Sequence, residues 1–388
     1  MSQKVFTPET FAGIVIKEIV VKDIRFPTSL EQHGSDAMHT DPDYSCAYVI
    51  IKCSGTALEG HGLTFTIGKG TEIVCAACES FAKIITNVSL DSIVKDFRGL
   101  KFLFKNFLVN TCTQSFFKKG FLRSLTCHSQ LRWLGPEKGV THIATGAIIN
   151  AIWDLLAKIE KLPLWKLLTE MSPEQIISIC DFTYLSDAIT QQEALDILKE
   201  AKKTKDIREK EMLEKGYPVY ITSAGWLGYT DEEVRTRVHD ALSKGFNKFK
   251  IKVGQNLESD IKRCNYLREL IGWENFLMVD ANQRWDVPEA IDWMMHLKDS
   301  KPLWIEEPTS PDDVIGHKKI SQALNPLGIR VASGEHCQNR ILFKQFITEN
   351  AIQFVQIDSC RLAGPNEIIP ILLLARKFNV PVCPHAGD

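Results

Sequence analysis

Two rhythms of apolar and polar positions divide the chain. Residues 14–25, IVIKEIVVKDIR, are rich in β-branched side chains and read as a strand; residues 45–53, SCAYVIIKC, and Gly60–Thr66 read as two more. A polar loop, FPTSLEQHGSDAMHTDPDY, separates the first two. Helical spacing follows over about 71–87, 139–160 and 164–170. Strands followed by helices predict an α+β unit. After about residue 217 the rhythm changes to apolar strands alternating with amphipathic helices. The strands are 217–226, 246–254, 276–282, 303–308, 328–335, 351–359 and 380–387. The helices run roughly over 230–244, 257–271, 287–299, 311–324, 338–349 and 364–378. Repetition at this pitch means parallel βαβ units, and seven of them predict a (β/α)8-type barrel rather than an open sheet. The expected fold class is therefore α/β: a TIM barrel of the (β/α)7β type without a last strand, behind an N-terminal α+β capping domain. The boundary is set at 1–172 for the cap and 173–388 for the barrel.

The polar residues that interrupt this pattern fall at the strand ends. Lys250 and Lys252 close the second barrel strand, Asp280 and Asn282 the third, Glu306 and Glu307 the fourth. Glu335, Asp358 and His385 close the next three. From Lys252 to His385 the steps are 28, 26, 29, 23 and 27 residues, one βα repeat each. Barrel enzymes carry their chemistry at the C-terminal mouth of the strands, so these residues converge on one cavity. Lys250 and Lys252 are two apart and share a face, as do Asp280 with Asn282 and Trp304 with Glu306. Apolar strands that each end in charge make poor core design, because buried charge is costly without a partner.

Composition narrows the partners. Apolar residues make up 44% and charged residues 24% with a net charge of −2, an ordinary globular balance without a basic footprint for nucleic acid or an anionic membrane. No run of 18 apolar residues marks a membrane span. The N-terminus MSQKVFTPETFAGIVIKEIV has mixed charges and no apolar core, which excludes a secretory signal; its lack of Arg argues against a transit peptide. Eleven cysteines without a pattern fit reduced thiols, and Cys75-x-x-Cys78 inside a helical stretch has no second pair at zinc spacing. The stretch 100–120, LKFLFKNFLVNTCTQSFFKKG, holds five of the 20 Phe and no acidic residue. It reads as an aromatic-rich insertion on a helix or loop, or as a partner-binding patch.

Asp280, Glu306 and Glu335 put three carboxylates on consecutive strands with no Cys or His among them, a donor set for a hard cation, foremost Mg2+. Such an ion chelates a substrate carboxylate and stabilises the enediolate left when an α-proton departs. Lys252 is placed to take that proton, its pKa expected to fall beside the ion and a second lysine; Lys250 stays charged toward the developing oxyanion. Asp358 orients His385, which protonates a leaving hydroxyl on the opposite side.

The segments FKIKV, MVDANQRW, WIEEPTSPDD, ASGEHC, QIDSCR and PHAG, in this order, resemble the enolase superfamily, mandelate-racemase-like subgroup. Cap segments such as DIRFPTSLEQHGSDAMHTDPDYS and QLRWLGPEKGVTH extend the resemblance to the L-fuconate dehydratase family over nearly the whole chain. The resemblance implies Mg2+-dependent dehydration of an L-fuconate-like sugar acid to a 2-keto-3-deoxy acid. A Lys or His base with Mg2+ is general to that superfamily. It also implies metal ligands Asp280, Glu306 and Glu335, base Lys252, and acid His385 backed by Asp358, with Lys250 the first lysine of the motif. Loop 27–41 matches the family's cap loop; His33, Asp36 and Met38 there, and Asn282 in the barrel, are the candidate sugar contacts, although loop polarity accounts for the first three equally well. A mitochondrial compartment and a homo-oligomer are further implications of the resemblance, whereas the N-terminus by itself reads as cytoplasmic.

Two departures shape the expectations. Residues 100–120 interrupt the family pattern, and the pattern continues past the HAG motif, through a helix, an eighth strand with a Glu and a closing segment. An open barrel exposes strand edges and interior. Exposing even 400 Å2 of apolar surface costs about 10 kcal/mol at about 25 cal/mol per Å2, against about 5–15 kcal/mol for a whole domain. The expectation is a loosely packed chain with little dehydratase activity. The rival readings are a non-catalytic truncated isoform that binds a partner, and a racemase or cycloisomerase of the same superfamily.

Overall fold

The computed structural model describes residues 5–97, 121–126, 131–135 and 137–385. The aromatic stretch 100–120 lies outside them. Three strands, β1 (Val15–Arg25), β2 (Ser45–Ser54) and β3 (Glu59–Thr66), form an antiparallel sheet in the order β1-β2-β3. Alternation along β2 buries Ala47, Val49 and Ile51 against the helices Thr71–Ile85 and Gly139–Ile159 while the intervening residues face outward. The second helix seats directly on β3. A methyl group at Gly62 would fall 2.2 Å from the Ala147 carbonyl oxygen, so glycine is what lets the two backbones approach. That helix is long and apolar enough to cross a membrane, yet 78% of the stretch is buried inside the protein, as befits a core helix.

Trp153, at its centre, is fully buried between the rings of Phe6 and Phe97, with centroids 5.3 and 5.2 Å away. Its indole N–H donates to Asn366 Oδ1 at 2.8 Å, tying this layer to a helix of the parallel part of the molecule. The sequence pattern named no helices between 173 and 216. The chain forms three there, Pro173–Ile179, Gln191–Lys202 and Lys205–Lys215. The last two bury only Ala194 and nothing respectively, so they carry almost no apolar periodicity. Capping boxes start the first two, Ser172 with Gln175 and Thr190 with Glu193.

Five parallel strands follow: β4 (Lys248–Lys252), β5 (Phe276–Asp280), β6 (Trp304–Glu306), β7 (Arg330–Ser333) and β8 (Phe354–Val355), side by side in chain order. Among the described residues the expected first and seventh barrel strands form only isolated bridges, Ile221 to Phe249 on one side and Val382 and His385 to Val355 and Asp358 on the other. Proline explains the second. Pro381 and Pro384 have no N–H, so the segment pairs through Cys383 N to Val355 O and His385 N to Ile357 O, both at 2.9 Å. Helices Asp231–Ser243, Leu257–Ile271, Val287–Leu297, Val314–Leu324, Arg340–Thr348 and Pro365–Lys377 return the chain, close to the expected spans. The strand faces turned to the helices, such as Phe249, Val331 and Val355, join the main core; the opposite faces enclose a small cluster of Met278, Trp304 and Ala332. The nine described cysteines are free thiols, and Cys78 is buried in its helix as a core residue.

A buried charge network crosses from the first layer to the second. Arg340 meets Glu137 Oε1 at 2.7 Å, Asp181 Oδ2 at 3.2 Å and Glu367 Oε1 at 3.3 Å, while His142 Nε2 lies 2.7 Å from Glu367 Oε2. Burial disfavours the Glu367 carboxylate, but His142 and Arg340 outweigh it and hold its pKa down to about 2. Arg340→Met would leave Glu137 and Asp181 without this countercharge and Glu367 with His142 alone, and the expected loss is about 3–5 kcal/mol in urea unfolding. The Glu367 contribution is fully present above its ordinary value of 4.5 and is lost as pH falls through about 2. Glu367→Gln should therefore flatten the acid limb of a stability-versus-pH curve; an unchanged limb would refute the assignment.

Candidate active site

Register brings the strand ends level. Lys252 pairs beside Asp280, Asp280 beside Glu306, and Glu306 beside Ala332, two residues short of the turn that carries Glu335. Alternation turns Lys250, Lys252, Asp280 and Glu306 to the same interior face. Lys250 Nζ lies 2.5 Å from Glu306 Oε1 and 3.1 Å from Asp280 Oδ2; Lys252 Nζ lies 2.7 Å from Asp280 Oδ2. Beyond β8, Asp358 Oδ2 meets His385 Nδ1 at 2.7 Å, and its other oxygen accepts from the backbone N–H groups of Cys360 and Arg361 at 2.6 and 3.1 Å. With Nδ1 so engaged, His385 turns Nε2 to Glu335 Oε2 at 3.1 Å.

One oxygen each from Asp280, Glu306 and Glu335 lies within 4.8 Å of the others. All three groups are buried, Asp280 and Glu306 completely. An all-oxygen set this close, in a dry setting, fits a small hard cation such as Mg2+. The electrostatics show the crowding. Burial, then Asp280, push the Glu306 pKa up to about 7. Burial also opposes ionisation of Asp280, but Lys252 and Lys250 outweigh it and hold its pKa below the usual carboxylate range. Glu335 is likewise held well below that range, with His385 the leading countercharge against its burial.

Lys252 has a charge balance of its own, set by the protein's groups alone. Burial is the strongest single influence and pulls its pKa down, but the carboxylates of Asp280, Glu335 and Glu306 together outweigh it, so the shift is upward. The protein's own charges here favour the ammonium; a divalent charge on Asp280 acts in the opposite sense.

A cleft of about 590 Å3 opens over these groups, lined by Lys250, Lys252, Glu335 and His385. The predicted contacts Asp36 and Asn282 line it as well. Asp36 is fixed by accepting from the N–H groups of Met38 and His39 at 2.7 and 2.8 Å. Its loop is clasped to the barrel side, with Ser35 Oγ donating to Leu227 O at 2.6 Å. His33 and Met38 are not among the lining residues. His33 packs beside Trp226 and Glu31, and the Met38 side chain is 58% exposed. Sequence reasoning missed His336, which also lines the cleft. Its Nδ1 lies 3.0 Å from Glu307 Oε1 and 3.3 Å from Glu335 Oε1, and Gln283 Nε2 donates to Glu307 at 3.0 Å. Glu307 is fully buried, so it serves His336 and not the cleft. The signal was the position of His336 directly after Glu335. Tyr220 was missed too; its hydroxyl stands 3.3 Å from Lys250 Nζ.

Comparison with known proteins agrees with this geometry. Residues 233–388 match the family described as enolase C-terminal domain-like. The chain is 53% identical over 368 residues to mitochondrial enolase superfamily member 1 of Xenopus laevis, covering 95% of this chain and 78% of that protein. It is 48% identical over 369 residues to the L-galactonate dehydratase of Hypocrea jecorina, covering 94% of this chain and 77% of the relative. The crystal structure of human mitochondrial enolase superfamily member 1 superimposes with a TM-score of 0.89 at 52% identity, over 96% of this chain and 80% of that one.

Burial disfavours the His385 imidazolium, but Glu335 and then Asp358 outweigh it and raise its pKa to about 9 from 6.5. Asp358→Asn is expected to lower that value, and Glu335→Gln to lower it further, in an NMR titration of the histidine rings with chelator present. A His385 pKa unmoved by both changes would contradict the arrangement.

Proposed function

Because this chain belongs to the enolase superfamily, we propose that it is a hydro-lyase that removes water from a sugar acid and leaves a 2-keto-3-deoxy acid. The observation that carries the reading is the placement of Lys252 and His385. They line one cleft from the two ends of the run of parallel strands, with three buried carboxylates between them. A base and an acid on opposite sides of a bound 2,3-dihydroxy acid suit anti elimination.

Asp280, Glu306 and Glu335 would hold Mg2+, which when bound supplies positive charge to the substrate carboxylate and acidifies the adjacent C–H. Lys252, as neutral amine, takes the proton from C2. The Lys250 ammonium, buried below the cleft, balances the charge that builds on the carboxylate oxygens. His385 enters protonated and gives its proton to the C3 hydroxyl, which leaves as water. Asp358 holds the ring in the tautomer that presents Nε2. The resulting enol tautomerises to the ketone, so the net change is loss of one water.

For substrate we propose a six-carbon monocarboxylate of the L-galacto series. L-Fuconate and L-galactonate share that configuration and differ only at C6, and the 48% identical relative bears the second in its name. Asp36 and Asn282 are the proposed contacts to the sugar hydroxyls. We also read residues 1–172 as the capping domain and 173–388 as the barrel domain, and take the mitochondrion as the compartment from the name of the 53% identical relative.

Keto acid formation from L-fuconate and L-galactonate tests the reading. Lys252→Ala and His385→Asn should each reduce kcat by about 10²–10⁴-fold. In D2O, His385→Asn should still exchange the C2 proton into recovered substrate, whereas Lys252→Ala should not. EDTA should abolish turnover and added Mg2+ restore it. Recovery of deuterated substrate of inverted configuration, without keto acid, would point to racemisation instead.

A further inference from the structure

Below the carboxylates the barrel floor is aromatic. Trp304 lies two residues before Glu306 on β6 and so projects to the same side. It is 3% exposed, and its indole N–H donates to Glu306 Oε2 at 3.2 Å. The other oxygen of Glu306 takes Lys250 Nζ at 2.5 Å. Trp304 is itself wedged in place. The Tyr220 ring meets it edge-on at 6.0 Å, the Phe354 ring lies 4.8 Å away, and Met278 and Ala332 complete the cluster. Packing alone needs only a large flat apolar ring here; the N–H aimed at one carboxylate oxygen is extra to it.

We propose that Trp304 is a positioning residue for the cation site. Its N–H reserves Glu306 Oε2 and leaves Oε1 as the oxygen that can serve a divalent cation. Lys250 must release Oε1 for that to happen. The Tyr220 hydroxyl, and a ring centroid 5.0 Å from Nζ, keep the ammonium close when it does. Trp304 thus settles how one carboxylate is shared between a lysine and an ion. The inference rests on reading Asp280, Glu306 and Glu335 as the cation site.

Partners that orient a ligating carboxylate typically account for about 10–100-fold in metal affinity. Calorimetric titration of MgCl2 into the chelator-stripped 388-residue chain reads this without turnover. Trp304→Phe keeps an aromatic ring but lacks the N–H, and should weaken the Mg2+ Kd by about 10–100-fold. Replacement of Trp304 by 3-benzothienylalanine, which puts sulfur in place of N–H in a ring of the same shape, should weaken it comparably and serves if the smaller ring prevents folding. A Kd unchanged in either folded variant would overturn the proposal and leave the cation site standing. Failure of the unsubstituted chain to bind Mg2+ would overturn both.

Discussion

Carboxylates crowded into one small dry volume repel one another, and the rest of this molecule is arranged around that repulsion. Asp280, Glu306 and Glu335 each bring an oxygen to within 4.8 Å of the others. None can be hydrated freely, so each needs a countercharge or must hold a proton. Lys250 and Lys252 take Asp280, His385 and His336 take Glu335, and Glu306, shared with Lys250, is pushed toward neutrality at about 7. The site is an electrostatic compromise that a divalent cation would resolve. The same compromise keeps both lysines charged until something competes for their carboxylates.

The fold supplies the level platform on which this works. Parallel register sets Lys252, Asp280 and Glu306 in a row, so neighbouring strands and not distant loops decide the spacing. Glu335 and Asp358 follow at the next strand ends, and backbone N–H groups hold Asp358. The antiparallel layer contributes Asp36 through a loop clasped at Leu227, and it is locked to the parallel part by Trp153 with Asn366 and by the charges around Arg340. Each of these ties is buried, where a lost partner is costly.

What was legible in the sequence follows from this physics. Apolar runs ending in charge mark strand ends, so the placement of Lys252, Asp280, Glu306, Glu335, Asp358 and His385 could be read from their spacing. The helices Gln191–Lys202 and Lys205–Lys215 could not, because they bury too little to print a 3.6-residue period. His336 and Tyr220 stayed hidden because their importance lies in which carboxylate or ammonium they meet in space. His33 and Met38 were read from loop position alone, and a loop leaves side-chain direction open. The upward pull of the protein's own carboxylates on Lys252 stayed hidden for a related reason: spacing gives neighbours, and only geometry says which of them lie closest.

The prolines in the His385 segment have a consequence for how stiffly that histidine is presented. Pro381 and Pro384 fix their own φ angles and restrict the residues before them, so the segment has few backbone states to lose on folding. Cys383 and His385 give their N–H groups to the carbonyls of Val355 and Ile357. The residue proposed as the acid is thereby anchored by two backbone bonds on a stretch that proline has already stiffened.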